Sequence, residues 1–302
     1  MKIALIATPS EIRLYARCLS SLDDVQWIGF GGYPCNRFCR SLLGGNGGLE
    51  VEIPYFESAE ALIDAADAVL VAGRRKDRFG FISRVLRKGR SVWTLGPVCE
   101  TWEETAKLAS LAQEARVCNQ VVHLDRETAL MHSSMPYAEG LRLLRFESFC
   151  PADSSLNADW ENLLLFPAFD MVLALGGDSV RKMKGHAVSC GEYRPASIVV
   201  DFEFMSGLEA FLWMDRIAGS RSVRATAVSP THVLRMDFLR ERLEIRQSSS
   251  GFYPEISPVR PLADNVKLFV EAVRTGCRSR FGLMQSSAVQ ERFIQLKKSF
   301  YV

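Results

Sequence analysis

The stretch Ser91-Val-Trp-Thr-Leu-Gly-Pro97 decides how this chain is read, and it lies at the centre of residues 61–129. Residues 92–95 form a short apolar strand. Before them, Asp67-Ala-Val-Leu-Val-Ala-Gly73 reads as a buried strand. Phe79, Ile82, Val85 and Leu86 then recur at helical spacing up to a stop at Gly89. After the strand, residues 103–115 repeat apolar Ala106, Leu108, Ala109, Leu111 and Ala112 as a helix, and Val117-Cys-Asn-Gln-Val-Val122 is a further strand. Strand, helix, strand, helix, strand is a right-handed series of parallel crossovers.

Five segments carry a resemblance: Val-Ala-Gly-Arg at 71–74, Lys-Gly-Arg-Ser-Val at 88–92, Leu-Gly-Pro at 95–97, Thr-Trp-Glu-Glu-Thr-Ala-Lys-Leu at 101–108 and Val-Val-His at 121–123. In frame and order the chain resembles the glucose-fructose oxidoreductase, inositol dehydrogenase and MocA family of nicotinamide-dependent sugar oxidoreductases. The resemblance implies an α/β protein. A Rossmann-like doubly wound parallel sheet is expected over residues 1–123, and an α+β domain with a mostly antiparallel open sheet over 124–302, its last helices packing back on the first domain. The resemblance also locates a difference: where the family has the catalytic lysine of Glu-Lys-Pro, this chain has Gly96.

Composition fits that frame. A chain of 302 residues, 48% hydrophobic and 24% charged, is long enough for two cores, and a net charge of +2 gives no reason to expect nucleic acid. The apolar run Met1-Lys-Ile-Ala-Leu-Ile-Ala7 is too short to span a membrane and lacks the core and cleavage pattern of a secretory signal; it reads as the first strand. Eight cysteines without CxxC spacing suggest reduced thiols in the cytoplasm, and Cys35 and Cys39, the closest pair, have no second pair or histidine nearby to complete a metal site.

The turn after the first strand is where a dinucleotide-binding fold carries Gly-x-Gly-x-x-Gly. Here it reads Ala7-Thr-Pro-Ser-Glu11. That pattern is a capping box, with Thr8 as N-cap, Pro9 in the first helical position and Glu11 reaching back. A plain capped helix and a cofactor cradle built on Thr8 and Ser10 are both open readings; the carboxylate favours the first, because it stands where a pyrophosphate would sit. The second strand, residues 25–30, ends in Gly29, Gly31 and Gly32 and not in the acid that binds a ribose, while Arg37 and Arg40 follow in a glycine-rich loop ending in Gly44-Gly-Asn-Gly-Gly48. Gly73-Arg-Arg-Lys-Asp-Arg78 places four cations at the carboxyl edge of the sheet. An anionic ligand held by Arg74 and Arg75, with Pro97 beside it, and a solvated basic loop are again both open.

In the second half, His123 and Arg126 align with the family's Gly-His-x-x-Arg segment. The buried helix expected over 157–175 aligns the family's Asp-x-Gly-x-His-x-x-Asp motif with Leu163, Leu165, Pro167 and Asp170. Only the final aspartate is kept, and leucine and proline shuttle no protons. Strands are expected at 196–204, 208–215, 222–228, 233–238 and 241–247, a loop at 248–251, and helices at 265–275 and 286–299. The family pairs subunits through the open face of this sheet. Taken together, these residues lead us to expect a homologue that has lost hydride transfer and binds no cofactor. It would take a small anionic or sugar-like ligand through His123, Arg126 and Asp170, or pair with itself or an active paralogue. The alternative is a working dehydrogenase with NAD or NADP and rearranged catalytic groups.

Overall fold

A computed structural model describes residues 1–302 except 21, 23–24, 35–53, 153–159, 178, 248–249, 278, 280 and 302. Cys35, Cys39, Arg37, Arg40 and the Gly44 to Gly48 turn therefore lie outside the described residues. The chain divides into two units, one of residues 1–124 with 260–290, the other of 125–259 with 291–302.

The first unit is a six-stranded parallel sheet: β1 (Lys2–Ile6), β2 (Gln26–Gly31), β3 (Tyr55–Phe56), β4 (Ala68–Val71), β5 (Ser91–Leu95) and β6 (Asn119–Val122), in the order β3-β2-β1-β4-β5-β6. Every residue of β4 is buried, as a parallel strand covered on both faces requires. Alternation sends Val69 and Val71 to one face, where Ile63 of α2 (Ala59–Ala65), Ile82 and Val85 of α3 (Arg75–Arg87) and Leu108 of α4 (Trp102–Ala115) cover them. Ala68 and Leu70 face the other way, against Ile12 and Leu19 of α1 (Pro9–Ser20) and Phe269 of α7 (Pro261–Thr275). Helix α4 starts as its sequence dictates. Thr101 accepts from the Glu104 amide at 3.2 Å and Glu104 accepts from the Thr101 amide at 3.4 Å, a complete capping box.

The second unit is built on an eight-stranded sheet ordered β14-β13-β12-β11-β7-β10-β9-β8. Its strands are β7 (Leu143–Phe149), β8 (Val180–Cys190), β9 (Tyr193–Phe204), β10 (Glu209–Asp215), β11 (Ser222–Val228), β12 (Val233–Asp237), β13 (Arg242–Gln247) and β14 (Ser250–Phe252). Only the β7 to β10 pairing is parallel. Along β9, Ile198, Val200, Phe202 and Phe204 are buried, and Phe202 meets Phe169 of α6 (Phe166–Gly176) with ring centres 5.8 Å apart. Two further helices are α5 (Ala129–Ser134) and α8 (Leu283–Lys298).

Three expectations are corrected. The expected loop at 248–251 holds part of strand β14, which pairs antiparallel with β13. The buried helix opens as a π-turn over Glu161–Leu165 before becoming α6. Strand β8 is not among the expected strands, because its run of Arg181, Lys182, Lys184 and His186 lacks apolar alternation. Its one deeply buried position is Gly185, where a β-carbon would collide with Phe300 and Leu296.

Candidate functional site

Strand order reverses between β1 and β4, so the crossovers leaving them diverge and open a crevice at their carboxyl ends. Helix α1 begins there. The Thr8 amide donates to Glu11 Oε2 at 2.9 Å, and the Thr8 hydroxyl donates to the same oxygen at 2.5 Å. Ser10 Oγ lies 3.0 Å from Thr8 Oγ1. Half of the expected capping box is therefore present. The other half is not: the Glu11 amide goes to the Thr8 carbonyl at 3.0 Å, because the hydroxyl proton makes a stronger, charge-assisted bond to the carboxylate. Thr8, Ser10 and Glu11 thus bond among themselves at the helix end that would otherwise receive an anion.

The basic loop is not the open cluster of four cations that its sequence suggests. Arg74 pairs with Asp77 at 3.0 Å and lies over the Tyr33 ring, 5.2 Å from its centre; its amide donates to the Tyr33 hydroxyl at 2.9 Å. Arg75 pairs with Glu100 at 3.2 Å. Arg78, 8% exposed, turns inward. Its Nε donates to the carbonyls of Ala72 and Gly73 at 3.0 and 2.9 Å. Its Nη1 donates to those of Leu95 and Pro97 at 2.8 and 3.2 Å. Arg78 therefore ties together the carboxyl ends of β4 and β5, and Pro97 enters the site as one of its acceptors. Burial lowers the Arg78 pKa, and the nearby Tyr15 and Glu11 oppose that shift.

At Gly96 the glycine has a steric reason. A β-carbon built there would stand 2.0 Å from Cδ2 and Nε2 of His123, so the imidazole occupies the space from which a lysine would start. His123 is 5% exposed; its Nε2 lies 3.1 Å from Ser286 Oγ and its ring meets Phe281 edge-on at 4.9 Å.

In the second unit, Arg126 and Asp170 come together. Nε and Nη2 of Arg126 each donate to a carboxylate oxygen of Asp170 at 2.7 Å, with the aspartate 1% exposed. This fork geometry holds both groups in place. Among the described residues no group of three or more His, Cys, Asp or Glu side chains is placed to hold a metal, and no described helix is long and apolar enough to cross a membrane.

Cys99 carries a pH expectation. Burial pushes its thiol from an ordinary 9.0 up to about 12, with the Thr105 hydrogen bond pulling weakly back, and burial also raises the Tyr15 phenol. The folded pKa of each lies above the unfolded one, so the unfolded chain loses protons first as pH rises. The stability that Cys99 contributes is complete below about pH 9 and is lost towards pH 12, and that of Tyr15 is lost in the same direction at higher pH. Melting temperature should fall steadily above pH 9, less steeply in Cys99→Ala. A flat profile there would contradict the burial argument.

Reading by pattern counts Arg78 only as one of four cations in the basic loop and gives Tyr15, Tyr33 and Ser286 no functional role. The usable signal is the spacing of Glu11 and Tyr15, one turn apart on one helix face. The contacts of Arg78 and His123 span 17 and 163 residues, beyond local spacing.

No protein-family model and no curated protein sequence matches the chain. Its fold does match solved structures. The chain is similar to UDP-N-acetylglucosamine 3-dehydrogenase GnnA from Acidithiobacillus ferrooxidans, with TM-score 0.86 and 18% identity over 99% of this chain and 97% of that one. A dehydrogenase (MviM) from Clostridium difficile aligns with TM-score 0.81 and 15% identity, over 99% of both chains. An oxidoreductase from Agrobacterium radiobacter, crystallised with NAD+, L-tartaric acid and magnesium, gives 0.82 and 12% over 99% of this chain and 96% of that one. At these identities the likeness is one of fold. The chain has the fold of these oxidoreductases, a Rossmann-like parallel sheet with a second, mostly antiparallel sheet, as its resemblance to the glucose-fructose oxidoreductase, inositol dehydrogenase and MocA family implies.

Proposed function

We propose that this chain keeps the scaffold of a nicotinamide-dependent sugar oxidoreductase without hydride transfer, and works as a small-ligand-binding or partner subunit in the cytoplasm. The observation that carries the reading is the Glu11 carboxylate, bonded to Thr8 at the N-terminus of α1. A dinucleotide would have to bring its pyrophosphate against that charge, which the Thr8 amide and hydroxyl hold at the helix end. Two further arrangements support it. The His123 ring fills the space beside Gly96, and Asp170 is held in a buried fork by Arg126. Pairing with a second copy or a homologous subunit would use the open face of the eight-stranded sheet, where Phe211, Trp213 and Val188 are exposed.

A second reading, an active dehydrogenase using NAD or NADP, is favoured by one placement: His123, bonded to Ser286, stands where the resembled family has its lysine. Thermal unfolding with added NADH or NADPH separates the two. A ligand at a hundred times its dissociation constant adds about 2.7 kcal/mol to stability, a shift of several degrees. We expect no shift; a clear rise with either cofactor would favour the active enzyme.

A further inference from the structure

The turn that joins β11 to β12 in the second unit, Ser229-Pro-Thr-His232, brings hydroxyl groups to a fixed base. His232 Nε2 lies 2.9 Å from the carbonyl of Tyr137, at the end of the short turn Met135–Tyr137, and the Tyr137 ring meets the imidazole edge-on at 5.9 Å. A carbonyl only accepts, so in the neutral ring Nε2 carries the proton and Nδ1 carries the lone pair. That lone pair faces two hydroxyls, Ser229 Oγ and Thr231 Oγ1, each at 3.0 Å.

Donors and acceptors separate the two hydroxyls. Ser229 is 9% exposed, and its Oγ accepts from the amides of Thr231 at 3.2 Å and His232 at 3.0 Å, which uses both of its acceptor positions. Its own proton has an acceptor in the His232 carbonyl at 3.3 Å. Thr231 Oγ1 lies 3.3 Å from Ser229 Oγ, but that oxygen is filled, so the threonine proton goes to Nδ1. Thr231 itself is exposed. An accessible hydroxyl on a base that a third group orients is the arrangement that activates a nucleophile. The two amides of the turn are engaged with Ser229 and not on offer to an oxyanion, so the turn supplies attack without the support that sustains turnover.

We propose that Thr231 is an acyl-acceptor site, O-acylated by an activated ester or thioester with His232 as its base and the Tyr137 carbonyl holding the imidazole. The Thr231 oxygen bonds to the acyl carbon, and the bond from that carbon to the leaving oxygen or sulfur breaks. The threonine proton passes through His232 Nδ1 to the leaving group, and nothing is oxidised or reduced. The product is an ester on an exposed turn. This site goes beyond the proposed function and stands or falls separately from it.

The test is incubation of the full chain with p-nitrophenyl acetate, with the site and rate of acetylation read by mass spectrometry of its peptides. The native chain and Thr231→Ser, which keeps the hydroxyl, should each gain an acetyl group at residue 231. Thr231→Val, a change of nearly the same shape at an exposed position, should gain none there. His232→Gln should slow the labelling about a hundredfold. Acetylation of Ser229 or His232 in place of Thr231, labelling of Thr231 at an equal rate in His232→Gln, or no label at residue 231 would each overturn the site. Steady release of p-nitrophenolate that Thr231→Val abolishes would overturn the acceptor reading, because the turn would then be a hydrolytic centre.

Discussion

Asp170→Ala is expected to lower the unfolding free energy by about 3–5 kcal/mol, the usual result of leaving one member of a buried ion pair without the other. Asp170 is 1% exposed and takes both forks of Arg126 at 2.7 Å, so its removal takes two charge-assisted hydrogen bonds from a guanidinium that is itself largely covered. In a unit of this size that loss corresponds to a fall in melting temperature on the order of 10 °C. The double variant Asp170→Leu with Arg126→Met should recover much of it, because apolar replacement of a whole buried pair is often neutral. Chemical denaturation of the native chain and both variants checks this. A single variant within about 0.5 kcal/mol of native would show that the pair does not hold the unit together.

The second large effect is expected at Gly96. Gly96→Ala places a carbon 2.0 Å from two atoms of the His123 ring, which is buried and bonded to Ser286, so the ring must leave its position. Overpacking of a filled interior costs about 1–3 kcal/mol, and loss of the His123 to Ser286 bond adds to it. Gly96→Lys should do at least as much harm. It would not restore a family-like lysine while the imidazole is in place. His123→Ala opens the space, so adding it to Gly96→Ala should cost less than the two single changes summed. Strict additivity in denaturation would contradict the fit between these two residues.

Legibility in the sequence followed the range of the interaction. The β4-α3-β5-α4-β6 series stands in the sequence because buried parallel strands are short apolar runs and the helices between them repeat at helical spacing. Apolar and polar residues need not alternate over 68–71 when both faces are covered, and all four residues of β4 are buried. The Glu11 to Thr8 contact spans three residues and was readable apart from the direction of its hydroxyl bond. Strand β8 was hidden, since an edge strand carrying Arg181, Lys182 and Lys184 shows no apolar period. The inward turn of Arg78 was hidden too, because its acceptors are backbone carbonyls and carry no signature in residue type. Arg126 and Asp170 could be singled out one at a time by resemblance, but their pairing crosses 44 residues.

The account turns on what the N-terminus of α1 accepts, and calorimetric titration of the native chain with NAD(H) and NADP(H), beside Glu11→Gly, asks that directly. The account predicts no saturable heat from the native chain with either cofactor. A micromolar dissociation constant for either one would contradict it, and the Thr8 to Glu11 turn would then have to be a cofactor cradle after all.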